Sequence, residues 1–475
     1  MSHHTRRFAL SIALVLGACT VDDGAQGPFE VVLRNGRIMD PESGVDAIRD
    51  IGIREGRIAE ISEGALAGAR VIDATGLVVA PGFIDLHEHG QSEEAYQLMV
   101  RDGVTSAFEL EVGTRDVAAW YAERADGRLI NHGVSVGHIP VRMAVLGDPG
   151  TALLPAGIGG SGSATEEQIT DMAARIEAGL EQGAVAVGFG SAYTPGAGMQ
   201  ELERMFRVAA THGASVHIHM RNGVAGLDST IVLATATGAP LHIVHLNSSG
   251  AADTDAFLAR IQAARDAGQD VTTEAYPYEA GMTEIQSALF DDWQSWPEER
   301  FAQHQWVATG ERLDRETFAR YRAQGGTVIR HERTEAMTRA AITSPLTMIA
   351  SDGFIANGRG HPRTSGTFAK VLGRYVRDEH VVDLMDALRR MTLEPARRLE
   401  PRVPAMASKG RLRVGADADL TLFDPATVRD RSTYEDATIP SEGIPYVIVN
   451  GTIVVDASKL VEGVRPGRAL RAEFR

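Results

Sequence analysis

The chain contains one cysteine in 475 residues, so neither a disulfide framework nor a thiolate-rich metal cluster can organise it. It has no basic block: Lys and Arg total 47 against 63 Asp and Glu, a formal charge of −16 at neutral pH. That balance argues against nucleic acid or anionic lipid as the main ligand. Lysine is confined to Lys370, Lys409 and Lys459. The apolar run near the N-terminus, Phe8 to Ala18, covers eleven residues, too few for a bilayer, which needs about 20. What is present is globular: 44% hydrophobic, 23% charged, 50 glycines and 19 prolines. The length accommodates one large domain and a smaller one.

Arg6-Arg7, the apolar run and Cys19 have the n-region and h-region of a secretory leader. Leu16-Gly17-Ala18-Cys19 resembles the bacterial lipobox, in which cleavage precedes the cysteine and its thiol carries the lipid. The sequence thus predicts a signal peptide over residues 1–18, lipidation at Cys19 and a tether over 19–29. It places the protein in a bacterial cell envelope, facing the periplasm, with the lipid as its only membrane contact. Thr20, in place of Asp after the cysteine, favours the outer membrane.

Both ends of the remaining chain read as β-hairpins. Val31 to Met39 is punctuated by Asn35-Gly36, Ile51 to Ile58 by Glu55-Gly56, and Val447 to Val454 by Asn450-Gly451. Between them, apolar strands alternate with amphipathic helices. Thr165 to Gln168 is a capping box ahead of Ile169, Met172, Ile176 and Leu180, and Phe257, Ile261 and Ala264 form a second stripe closed by Gly268. Strands are expected near 79–87, 104–111, 134–139, 184–190, 214–219, 240–245, 270–276 and 345–351. Eight such units fit an α/β fold, a (β/α)8 TIM-type barrel over 79–409. Residues 30–78 plus 410–475 would form a small β-sandwich from both chain ends. The Trp-rich stretch 283–333 reads as an insertion after strand seven, packed by Trp293, Trp296 and Trp306.

In such a barrel, chemistry sits at the C-terminal ends of the strands. His87 and His89 are two apart and share one face; His217 and His219, His242 and His245, and Asp352 end three further strands. Imidazole and carboxylate in such a group suit Zn2+ first, one or two ions, with Mn2+, Co2+ or Fe2+ as chemically similar occupants. Glu109 and Glu111 also share a face near a strand end, where burial is costly without a cation. His217 and His242 read equally well as supports behind the ligands or as core histidines.

The run Pro81-Gly82-Phe83-Ile84-Asp85-Leu86-His87-Glu88-His89, with the later histidines and Asp352, resembles the metal-dependent amidohydrolase superfamily. Gly188 to Pro195, His219-Met220-Arg221, Tyr276-Pro277-Tyr278 and His361 to Phe368 resemble its D-aminoacylase, or N-acyl-D-amino-acid deacylase, branch. The likeness runs from residue 30 to the end. It implies metal ligation by His87, His89, His219 and His245, and a catalytic base at Asp352 that also touches the metal.

Two positions depart from the branch. Val112 falls where its members carry a strand-two cysteine ligand, which leaves Glu111 first, or Glu109, to bridge the site. A carboxylated lysine is disfavoured, since no lysine lies near strand four. Asn247 stands where the branch has a lysine, so recognition of a substrate carboxylate passes to Tyr193, Arg221, Tyr278 and Arg363. The resemblance implies hydrolysis of the amide of N-acyl amino acids, of D configuration, by metal-activated water on a small carboxylate-bearing substrate. The same site would serve a cyclic-amide or dipeptide hydrolase. A non-catalytic binding lipoprotein is disfavoured by the intact His-x-His and Asp352.

Overall fold

The structure, a computed structural model, describes residues 1, 29–150, 153–221 and 223–473. The leader, the tether and Cys19 fall in 2–28, outside the described residues. Among those described, no helix is long and apolar enough to cross a membrane.

Eight parallel strands form the barrel, side by side in chain order: β1 (Phe83–Asp85), β2 (Val104–Thr114), β3 (Asn131–Gly137), β4 (Val187–Gly190), β5 (Val216–His219), β6 (Leu241–Ile243), β7 (Val271–Ala275) and β8 (Thr347–Ile349). The seam between β8 and β1 is held by the Ser351 N–H donating to Asp85 Oδ1 at 3.0 Å and by a bridge between Glu88 and Gly353. Helices cover the outside. The Glu166–Glu181 helix starts at the expected capping box on Thr165 and Gln168. Its Ile169, Met172, Ile176 and Leu180 are buried in one core with Val136 and Val187 of the strands. Each such side chain contributes about 1.5–3 kcal/mol.

The first expected strand, 79–87, is two strands with two owners. Val78–Pro81 pairs with Arg37–Ile38 and Leu420–Phe423, and only Phe83–Asp85 enters the barrel. Gly82 makes the junction, where an added Cβ would stand 2.2 Å from Thr105. The two chain ends join in one nine-stranded sheet, whose Leu33, Ile51, Ile58, Ala418, Leu420 and Ile448 share a core. Asn35-Gly36 is not a hairpin turn. Val31–Leu33 and Gly36–Asp40 pair with successive halves of the same strand, Val45–Arg54, so the pair makes a bulge with Asn35 at φ 59°. The turns at Glu55-Gly56 and Asn450-Gly451 are hairpins as expected. The last described residues leave the sheet: Gly467 and Ala469 bridge to Arg128 and His132 on the barrel side.

The insertion carries a three-stranded antiparallel sheet of Gly281–Glu284, His304–Trp306 and Thr327–Arg330. Phe290, Trp296, Phe301, Trp306 and Phe318 form its own core. Its first strand and both ends of its third face the barrel mouth, where Met282, Thr283, Glu284, Thr327 and Arg330 line a cleft.

Candidate metal centre

β2 is the strand that shapes the site. Its register with β3 breaks between Glu109, opposite Val134, and Thr114, opposite Val136. This wide bulge turns the strand inward over the barrel mouth and separates the fates of two glutamates. Glu109 turns back on the bulge: its Oε1 accepts from the Val112 and Gly113 N–H groups at 3.1 and 3.3 Å, and its Oε2 meets His89 Nδ1 at 2.8 Å. Glu111 projects into the cleft. Gly188 on β4 makes room for the bulge, since a Cβ there would come within 2.3 Å of the Glu111 carbonyl oxygen.

Two groups of ligating atoms meet at Glu111. His87, His89, Glu111 and Asp352 offer atoms all within 4.8 Å of one another, and so do Glu111, His219 and His245. Glu111 Oε2 lies 2.7 Å from His87 Nε2 and 3.5 Å from His245 Nε2, while Oε1 lies 3.1 Å from His219 Nδ1. One carboxylate therefore touches both groups. Asp352 Oδ1 closes the first, 3.5 Å from His87 Nε2 and 3.3 Å from His89 Nε2. His245 and Asp352 are held at positive φ, 33° and 53°, a backbone cost of about 1–3 kcal/mol each that tends to cluster at functional sites.

The outward ring nitrogens of three of these histidines have partners of their own. His89 Nδ1 meets Glu109, His87 Nδ1 meets Glu274 at 2.5 Å, and His245 Nδ1 meets Ser249 Oγ at 3.2 Å. The inward nitrogens face one another instead, at 3.2 Å for His87 Nε2 and His89 Nε2, and 3.1 Å for His245 Nε2 and His219 Nδ1. Four inward imidazole nitrogens around two buried carboxylates is a nitrogen-and-oxygen donor set that fits zinc. The local electrostatics ask for the same positive charge. Burial opposes ionisation of Glu111, yet His219, His245 and His87 hold its carboxyl well below the usual range. Burial likewise opposes Asp352, but Arg363 and His87 outweigh it and hold the carboxyl low. Burial disfavours a charged His89, while Glu109 and Asp352 together push its pKa up to about 10.

The cluster lies at the floor of a cleft of about 660 Å³. Tyr193 and Arg363, expected from the sequence, line it. Tyr193 stands edge-on to His219 at 4.6 Å and accepts from Thr283 Oγ1 at 3.3 Å, which leaves its phenol proton free. Arg363 pairs with Asp352 Oδ2 at 2.8 Å and lies over the Tyr276 ring.

Two expected substrate contacts are elsewhere. Arg221 spends its guanidinium on the carbonyls of Thr194, Pro195 and Ala197 and faces a separate surface groove, two residues past the end of its strand at His219. Tyr278 is buried between Lys370 and Asp430, behind the wall. Its neighbour two residues earlier, Tyr276, lines the cleft in its place. Asn247 also points away, donating to the Tyr276 carbonyl at 3.0 Å.

The sequence reading missed three contributors. Arg330 enters the cleft wall from the insertion, paired with Glu332, its Nε buried without a partner among the described residues. Arg333 donates to Tyr276 Oη at 2.7 Å and to Ser248 Oγ at 3.2 Å. Both hydroxyls line the cleft and act as acceptors toward Arg333, so each keeps its proton for a ligand there. The carboxylate of Glu284 accepts from the Leu153 and Leu154 N–H groups at 3.1 Å each, tying the loop on one side of the cleft to the insertion on the other. Only an arginine pattern within the insertion, Arg330 and Arg333, was visible in the sequence, and nothing there fixed which way it faced.

Comparison with known proteins agrees with this geometry. The profile of the amidohydrolase family matches residues 70–455. N-acyl-D-glutamate deacylase of Alcaligenes xylosoxydans xylosoxydans is 32% identical, covering 94% of this chain and 98% of its own. D-aminoacylase of the same organism is 31% identical over 93% and 98%. A crystal structure of N-acyl-D-glutamate deacylase from Bordetella bronchiseptica, complexed with zinc and a phosphonate mimic of the tetrahedral intermediate, superposes with a TM-score of 0.81 at 29% identity, over 94% of this chain and 100% of that one.

Proposed function

The chain belongs to the amidohydrolase family, and from that membership we propose that it is a metal-dependent hydrolase cleaving the amide bond of N-acyl-D-amino acids. The observation that carries the reading is a single cleft holding a four-histidine, two-carboxylate cluster beside a wall of guanidinium and hydroxyl donors. His87, His89, Glu111 and Asp352 would hold one divalent ion, zinc foremost, and Glu111, His219 and His245 a second. Such an ion lowers the pKa of water and polarises a carbonyl.

The chain's own groups supply the rest. Asp352 presents Oδ1 to the cluster while Arg363 fixes Oδ2, so Oδ1 takes the proton of the attacking water. The same oxygen returns it to the amide nitrogen as the C–N bond breaks. Water and amide become a carboxylate and a protonated amine, the second water proton passing to the amine as the products separate, and no covalent intermediate is required. The Tyr193 phenol, kept neutral by burial, aims its proton at the oxygen that becomes negative during attack. Arg363, Arg330 and the Tyr276 and Ser248 hydroxyls are the donors proposed for the substrate's carboxylate, replacing Arg221 and Tyr278.

The test is amine release from paired N-acetyl-D- and N-acetyl-L-amino acids, with each D substrate also presented as its neutral carboxamide. D acids are expected to react, and the carboxamides to lose about 10- to 100-fold in kcat/KM, the worth of a charged hydrogen bond of about 1.5–3 kcal/mol. Hydrolysis confined to cyclic amides or dipeptides would replace this reading with that of a ring or dipeptide hydrolase.

The leader supports an envelope location through a lipid on Cys19, facing the periplasm. Expressed in a bacterial host, the full chain is expected to take up labelled fatty acid and to lose it in Cys19→Ser. Equal labelling of both forms would remove the anchor.

A further inference from the structure

The ring of His87 is backed, opposite the nitrogen that faces the cluster, by a buried carboxylate. Its Nδ1 meets Glu274 Oε1 at 2.5 Å, and the other oxygen of that carboxylate meets His242 Nε2 at 3.1 Å. Glu274 Oε1 also receives the His245 N–H at 3.4 Å. Glu274 lies on β7, on the same face as Thr272 two residues earlier, and is 1% exposed. It lines no part of the cleft and reaches the cluster through His87. His242 is held in turn by Thr272 Oγ1 at 2.8 Å and by stacking on His217 at 4.5 Å between centroids. The carboxylate is thus fixed from below by His242 and fixes His87 above.

A carboxylate accepts only, so His87 must carry its proton on Nδ1 when neutral, which leaves the Nε2 lone pair for the cluster. An anion hydrogen-bonded to a ligating imidazole also raises its basicity. We propose that Glu274 is a positioning residue: it locks His87 in the tautomer that presents Nε2 to the metal, and His242 is the brace that holds the carboxylate in place. A buried ionised carboxylate is otherwise a liability in a barrel core. Here its three partners are the imidazoles of His87 and His242 and the backbone N–H of His245, which accounts for its presence.

The inference rests on the metal reading above, and the test separates the two. Zinc-loaded full-length protein is titrated with a competing chelator for wild type, Glu274→Gln and Glu274→Asp, and the unfolding midpoint of each metal-free protein is recorded. The glutamine has the same shape and can still bond both histidines, but carries no charge and no longer dictates the tautomer. Glu274→Gln is expected to bind zinc about 10- to 100-fold more weakly with the metal-free midpoint unchanged, and Glu274→Asp to lose less. Wild-type zinc affinity in Glu274→Gln would overturn the proposal, whatever the midpoint does. A wild type that binds no zinc would instead overturn the metal reading. Should Glu274→Gln fail to fold, the nitrogen shifts of His87 in metal-loaded wild type decide: a protonated Nδ1 supports the proposal and a protonated Nε2 refutes it.

Discussion

Asp352→Asn is expected to lower kcat by about 10²–10⁴-fold, the usual contribution of a positioned general acid and base. The asparagine keeps the shape of the side chain and cannot carry a proton in either direction. The loss should sit in kcat more than in KM, because three of the four proposed carboxylate donors, Arg330, Tyr276 and Ser248, make no bond to Asp352. His87, His89 and Glu111 remain for the first ion and Glu111, His219 and His245 for the second. Saturating zinc should therefore fill the variant without restoring its rate. The substitution also strips Arg363 of its buried anionic partner, so a lower unfolding midpoint is expected alongside. Steady-state kinetics with metal analysis on the same sample checks all three points. A rate that recovers fully with added zinc would reassign Asp352 from proton carrier to ligand alone.

Glu111→Gln is expected to have the larger effect on metal. Glu111 is the one residue common to both ligand groups, with Oε2 toward His87 and His245 and Oε1 toward His219. Zinc at 100 times its dissociation constant stabilises a folded protein by about 2.7 kcal/mol, so wild type should unfold at a visibly higher temperature when zinc is added. In Glu111→Gln that shift should nearly vanish, zinc should be lost on gel filtration, and activity should fall below detection. Glu109→Gln is the matched control. It alters a carboxylate that holds His89 and the β2 bulge but contributes no atom to either group, so most of the zinc shift should remain. Equal zinc shifts in Glu111→Gln and wild type would remove Glu111 from the centre.

The contrast between these two glutamates marks how far the sequence could be read. Their i,i+2 spacing placed both near a strand end, and the preference for Glu111 agrees with its position in the cleft. The bulge that separates them is a property of β2 against β3 and β4, of Gly188 against the Glu111 carbonyl, and no local pattern encodes it. The histidines were legible because strand periodicity and the barrel rule act together: a polar residue at the C-terminal end of a buried strand has one place to go. Arg221 and Tyr278 fail for the complementary reason, since both lie past their strand ends, where direction is set by loop packing. Tyr278 misses the cleft by two residues, and Tyr276 takes its place. Asn35-Gly36 shows the same limit in the sheet domain, where a favoured turn dipeptide is overridden by a long partner strand that pairs on both sides of it. Glu274 sits mid-strand among Thr272, Thr273 and Ala275, with nothing in its neighbours to say that His87 and His242 meet it from other strands.

The most direct test of the account is amine release from an N-acetyl-D-amino acid by one preparation in three states: as purified, stripped by chelator, and restored with Zn2+. The account predicts release that disappears on stripping and returns with zinc, with the matching L substrate inert throughout. Release that survives complete removal of metal, or no release from the D series by fully zinc-loaded protein, would contradict it.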